Sequence, residues 1–125
     1  MGHGTYDSVL GSGGWPFEDK HVIVLTNRGD LAGSRLDTVP SLEEAVRRLD
    51  EVGAREVYID GGRRMQAFLR GGLVEEITVS VARILLGGGR ILFGDLDEAR
   101  RLVVLGSHTT DDGLVRTTYE VVAAD

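Results

Sequence analysis

The chain has no cysteine among its 125 residues. That excludes a disulfide framework and a thiolate metal site, and it is compatible with the reducing cytoplasm. Nor is there a surplus of positive charge: 14 Lys and Arg stand against 20 Asp and Glu, a net charge of −6. Such a balance argues against nucleic acid or an anionic membrane as a partner, because both demand a broad positive field. No apolar run approaches the roughly 20 residues that cross a bilayer, and the opening "MGHGTYDSVL" lacks the charged and apolar regions of a signal peptide. A soluble, cytoplasmic chain is expected, with no nucleic-acid or membrane partner. Three familiar signatures are also missing. There is no G-x-G-x-x-G dinucleotide fingerprint, no G-x-x-x-x-G-K phosphate loop and no G-x-S-x-G nucleophile elbow. His3, His21 and His108 have no spacing with acidic residues that suggests a metal site.

What the chain does have is glycine, 18 residues of it, placed at the ends of periodic segments and not in a low-complexity tract. The length fits one domain spanning 1–125. Thr5 to Leu10 reads as a short helix closed by "GSGG", and the β-branched run "HVIVLTN" reads as a buried strand ending near Asn27. "VPSLEEAVRRLDEVGA" is a helix. Leu42, Ala45, Val46, Leu49 and Val52 share a face, Ser41 and Glu44 form a capping box, and Gly53 supplies the stop. "REVYID" reads as the next strand, and it runs through Gly61-Gly62 into a helix with Met65, Phe68 and Leu69 on its apolar face and Gly71-Gly72 at its end. Beyond Leu73 the pattern changes to a strand, "EITVSVARI", a loop-like stretch around "LLGGGRILFGDLDEA", and a hairpin of "RLVVLGSHT" and "LVRTTYEVV" about "TDDG". The expected fold class is α/β, with a parallel β-α-β core followed by an antiparallel C-terminal hairpin. Ligands of such sheets gather beyond the carboxyl ends of the strands.

Two places could carry chemistry. Strand, Gly61-Gly62, helix is a geometry that lets backbone approach a ligand and presents free N–H donors to an anion, phosphate above all. The same dipeptide also serves as a tight turn, with Arg63 and Arg64 simply solvated. Arginines in the first turn of a helix are mildly unfavourable unless an anion sits nearby. The second place is "LTNR", Leu25 to Arg28, where hydroxyl, amide and guanidinium groups follow a strand end. Asp60, directly before the glycines, is a substrate-facing carboxylate or a turn residue; spacing alone leaves both readings open.

Taken in order, "MGHGTYDSVL", "WPFEDKHVIVLTNR" and "VYIDGGRRMQAFLRGGLVEEITVSVARILLGGGRILF" with its closing hairpin make a series that resembles the dihydrofolate-reductase-like superfamily. Within it, the series is similar to the branch containing the C-terminal reductase domain of the bifunctional riboflavin-biosynthesis deaminase-reductase, over essentially the whole chain. The resemblance implies a dihydrofolate-reductase-like sheet and NADPH as hydride donor. It implies that Gly2, Thr5, Gly61, Gly62 and Arg63 line the pyrophosphate and nicotinamide path. Leu25, Thr26, Asn27 and Arg28 would hold the adenosine end, with Arg28 at the 2′-phosphate, and Asp60 would be the catalytic, substrate-facing residue. The implied substrate is a small pterin- or pyrimidine-like molecule, as for a phosphoribosylamino-uracil reductase, and pairing into a homodimer is expected. Where many relatives carry basic residues after the first glycine, this chain has His3 and Gly4, which supply less charge. Relatives also begin earlier, with a central strand, a mobile substrate loop and a helix. The chain is therefore expected to be N-terminally truncated and to expose apolar sheet edges. The alternative expectation is a non-catalytic cofactor-binding or subunit-interaction fragment of such a reductase.

Overall fold

A computed structural model describes residues 1–27 and 36–123. Arg28 therefore lies outside the described residues. The chain divides into two compact units, Met1–Ala67 and Phe68–Asp125.

The first unit begins with helix α1, His3–Gly11, two residues ahead of the expected start. No α1 side chain is fully buried. An aromatic series packs beside it: Tyr6 meets the edge of Trp15 at 5.6 Å between centroids, and Trp15 meets Phe17 at 5.4 Å. Strand β1, Val22–Leu25, pairs in parallel with β2, Leu36–Val39, in the register Val22 to Leu36 through Leu25 to Val39. The ladder continues one step further, where the Thr26 amide donates to the Val39 carbonyl at 2.8 Å. Val22, Val24, Leu25, Val39 and Ala45 are buried, with Val24 fully enclosed. A continuous apolar run on β1 is what a parallel strand covered on both faces requires.

Helix α2, Leu42–Glu51, starts where its cap dictates: Ser41 Oγ accepts the Glu44 amide at 3.2 Å. Only this half of the capping box is seen, because the Glu44 carboxylate turns to Arg47 instead. The helix stops at Gly53, whose φ of +69° suits glycine. Two bonds close that end, Ala54 N–H to Leu49 O at 3.0 Å and Gly53 N–H to Asp50 O at 3.1 Å, a Schellman arrangement. Helix α3, Gly62–Arg70, ends the same way at Gly72, with φ of +69°.

The expected strand at Val57–Asp60 does not form. The segment carries no ladder to any described strand, and Tyr58 is 87% exposed. β-propensity describes fit to a pleated neighbour, and no described residue supplies one. Conversely, β2 is a strand that the sequence reading lacked.

The second unit is an antiparallel sheet of β3 (Glu76–Val81), β4 (Leu102–Thr109) and β5 (Val115–Val121) in the order β3-β5-β4. The hairpin between β4 and β5 closes at Thr110, whose amide donates to Leu114 O at 2.8 Å, and Gly113 turns with φ +90°. Thr78 and Thr118 share a hydroxyl hydrogen bond of 2.9 Å across β3 and β5, and Ser107 and Thr117 do so across β4 and β5. The β4 register slips between Val104 and Gly106, leaving Leu105 as a bulge. All of β4 is exposed, including Leu102, Val103, Val104 and Leu105. Leu85, Leu86, Ile91 and Leu92, in the stretch read as a loop, are also exposed, as is Ile84, the last residue of the stretch read as a strand.

Candidate functional site

The candidate site is built where β1 ends. Met1 lies along the β1 edge that β2 leaves open: its amine donates to Ile23 O at 2.8 Å, and the Leu25 amide donates to Met1 O at 2.8 Å. Gly2 then bridges Leu25 in parallel fashion and serves as the N-cap of α1. This pairing delivers the start of a helix to the carboxyl end of a strand, where parallel sheets gather ligands. The cap supplies no side-chain acceptor, and no acidic residue stands in the first turn. The first intrahelical bond is Tyr6 N–H to Gly2 O at 3.1 Å, so the His3, Gly4 and Thr5 amides precede the helical ladder.

Gly61 packs directly on this turn. Its φ is +98°, and a Cβ there would come within 2.8 Å of Thr5 Oγ1 and 3.8 Å of Gly2 N. Glycine is thus required twice over, by conformation and by space. The next residue opens α3, whose first bond is Met65 N–H to Gly61 O at 2.9 Å, again with no acidic residue in the first turn. A Cβ at Gly62 or Gly4 would meet nothing within 4 Å. Two helix starts therefore lie side by side over glycine, with open space in front of them and partial positive charge on both. This is a cradle that fits an anionic group such as a pyrophosphate.

The structure brings together Gly2, Thr5, Leu25, Gly61 and Gly62. Arg63 belongs to the α3 start but is exposed, and Asp60 is exposed just before the turn. Thr26 is buried and Asn27 exposed at the end of β1, while Arg28 falls outside the described residues. Sequence reasoning missed two participants. Arg64, half-buried, lies across Gly2 and donates through Nη2 to Leu25 O at 3.3 Å. The Met1 amine is the other. Burial pushes its pKa below the ordinary value of 8.0; Asp60 opposes that shift and Arg64 adds to it. No local pattern signals either contact, since Arg64 reaches across 39 positions and Met1 across 22.

A separate polar cluster braces β2 and α2. Asp37 Oδ2 accepts from Arg48 Nε at 2.9 Å and lies 2.6 Å from His21 Nε2, while Arg48 Nη1 reaches Glu51 at 3.1 Å. The Arg48 hydrogen bond, then that of His21, holds the Asp37 carboxyl below its ordinary range. In the second unit a depression of about 390 Å3 is lined by Ala82, Arg83, Ile84, Asp112, Gly113 and Leu114. Among the described residues no group of three His, Asp or Glu converges as a metal site, and no helix is long and apolar enough to cross a membrane.

Comparison with known proteins gives the following. The family model for the RibD C-terminal domain matches residues 18–116. A putative riboflavin biosynthesis protein from Shewanella sp. PV-4 is 35% identical with a TM-score of 0.85, over 98% of this chain and 72% of that one. Schistosoma mansoni dihydrofolate reductase shares the fold at a TM-score of 0.64 and 21% identity, over 98% of this chain and 73% of that one. A pyrimidine reductase-like protein from Corynebacterium diphtheriae shares it at 0.63 and 18%, over 82% and 50%. An uncharacterized Bacillus subtilis protein, YyaP, is 29% identical over 77 residues, 61% of this chain; the chain spans 41% of that relative's length.

Proposed function

Because the chain belongs to the RibD C-terminal domain family, a family of dihydrofolate-reductase-like fold, we propose that it works as an NADPH-dependent reductase domain acting on a small pyrimidine- or pterin-like substrate. The observation that carries this reading is the pair of glycine-faced helix starts, Gly2–Thr5 and Gly61–Gly62, meeting at the carboxyl end of β1. Free backbone donors from two helices suit a pyrophosphate without any lysine-bearing loop. Gly2, Thr5, Gly61, Gly62 and Arg63 would hold that group, and Leu25, Thr26, Asn27 and Arg28 the adenosine end. When bound, NADPH supplies the hydride for reduction of a C=N or C=O bond. The protein's own contribution is positioning and electrostatics. Asp60, exposed beside the glycine turn, would accept hydrogen bonds from ring N–H groups of a substrate and so orient it. The names of two neighbours, a riboflavin biosynthesis protein and a pyrimidine reductase-like protein, support a pyrimidine as substrate. A cytoplasmic homodimer is part of the same proposal.

The test is a thermal melt with and without NADPH, with NADH as control. A ligand that binds only the folded state adds about 2.7 kcal/mol at a hundredfold excess over its Kd, which raises Tm by several degrees. No upward shift with either nucleotide overturns the cofactor reading. One observation favours the second reading, a cofactor-binding or subunit-interaction fragment: Val57–Asp60 has strand composition and no strand partner among the described residues. Turnover of any substrate by this chain refutes that alternative.

A further inference from the structure

Arg64 stands in the first turn of α3, where backbone N–H groups already make the field positive. A solvated arginine in that position points outward, as exposed Arg63 does. Arg64 is half-buried instead. Its side chain runs across Gly2 so closely that a Cβ on Gly2 would come 3.2 Å from Nε and 3.3 Å from Cγ. The guanidinium ends at the Leu25 carbonyl, 3.3 Å from Nη2, and no carboxylate of the described residues forms an ion pair with it. One long bond to a neutral carbonyl is a small gain for a cation held beside two helix starts and the Met1 amine, whose charge it opposes. A guanidinium with donors to spare at the mouth of two N-termini is arranged for an anion that all of them can share.

We infer that Arg64 is the side chain that binds the cofactor phosphate at the start of α1, and that residue 2 is glycine so that Arg64 can lie across it. This rests on the reading of the site as a nucleotide site. It supplies the charge that His3 and Gly4 do not.

The test is equilibrium binding of NADPH, and of ADP-ribose as a pyrophosphate probe without nicotinamide, measured by calorimetric titration at low and high salt. Arg64→Gln is expected to raise both Kd values about ten- to a hundredfold, the loss that accompanies a hydrogen bond to a charged group. It should also flatten the dependence on salt, a change that a merely structural tie would not produce. Arg64→Lys recovers part of the affinity. Gly2→Ala, which displaces the side chain and keeps its charge, weakens both ligands. Arg55→Gln, exposed in a loop, controls for net charge and leaves both Kd values in place. If the native protein binds and Arg64→Gln binds equally well with the same salt slope, the inference fails and the cofactor site stands. If the native protein binds neither probe, the cofactor reading fails and takes the inference with it. Should Arg64→Gln not fold, unchanged Kd values in both Gly2→Ala and Arg64→Lys overturn the inference.

Discussion

Replacing Gly61 by alanine tests the central geometry of the site. The new Cβ would enter a backbone with φ +98° and approach Thr5 Oγ1 to 2.8 Å. The left-handed conformation costs an L residue about 1–2 kcal/mol, and turning Thr5 off its preferred rotamer adds about 0.5–1.5 kcal/mol. Alanine also stiffens the unfolded chain, which returns about 0.4–1 kcal/mol. The net loss is therefore about 0.5–3 kcal/mol, a sizeable share of the roughly 5–15 kcal/mol that holds a domain together. Urea unfolding followed by circular dichroism reads it directly, as a drop in midpoint of about 1 M for a slope near 1–3 kcal/mol per M. Two further variants separate the causes. Thr5→Ala in the same chain relieves the contact and leaves the φ penalty, so the double variant should be more stable than the two single losses predict. Gly4→Ala lies on the same first turn, meets nothing within 4 Å, and should be neutral or stabilising by up to about 1 kcal/mol through helix propensity. A Gly61→Ala protein within 0.5 kcal/mol of the parent, roughly the error of such comparisons, would refute the packing of the glycine turn on α1.

Three other expectations follow from single contacts. Ser41→Ala should cost about 1 kcal/mol of stability in the same urea assay, since it frees the Glu44 amide at the start of α2; an unchanged midpoint would show that the cap is idle. The Met1 amine has a folded pKa below its ordinary 8.0, so the unfolded chain holds the proton longer and stability should rise with pH between the folded value and 8.0, then level off. Acetylation of that amine should abolish the rise, and a slope that survives acetylation would assign it to another group. Asp37, held below its ordinary 3.8, contributes stability that is present above that value and lost as pH falls through the folded pKa. Asp37→Asn should flatten this acid limb, with a small effect because the partners His21 and Arg48 are 39% and 38% exposed and solvent screens the pairs.

The parts of this fold legible in the sequence are those with local causes. Ser41 at the head of α2 and the glycines 53 and 72 at the two helix ends act within a turn of themselves, and the structure shows each at work. The β4–β5 hairpin is likewise set by neighbours in sequence. Val57–Asp60 has strand composition, but a strand is a relation between segments and its partner cannot be read from four residues. β2 escaped for the opposite reason: Leu36-Asp37-Thr38-Val39 has one buried position, Val39, and is too short to display an alternation. At the site, the glycines were visible because special backbone needs leave a mark on composition. The approach of Arg64 to Gly2 left none, since an arginine pair in a first turn looks the same whether one of them folds back or both face water.

The three-stranded sheet also sets a pattern of hydrogen exchange. β5 is bonded on both sides, so its amides should exchange slowly along its whole length. β4 has β5 on one side and no strand on the other among the described residues, so every second amide points into solvent. Deuterium uptake along Leu102–Thr109 should therefore alternate fast and slow, and the bulge at Leu105 should shift the phase of that alternation by one residue.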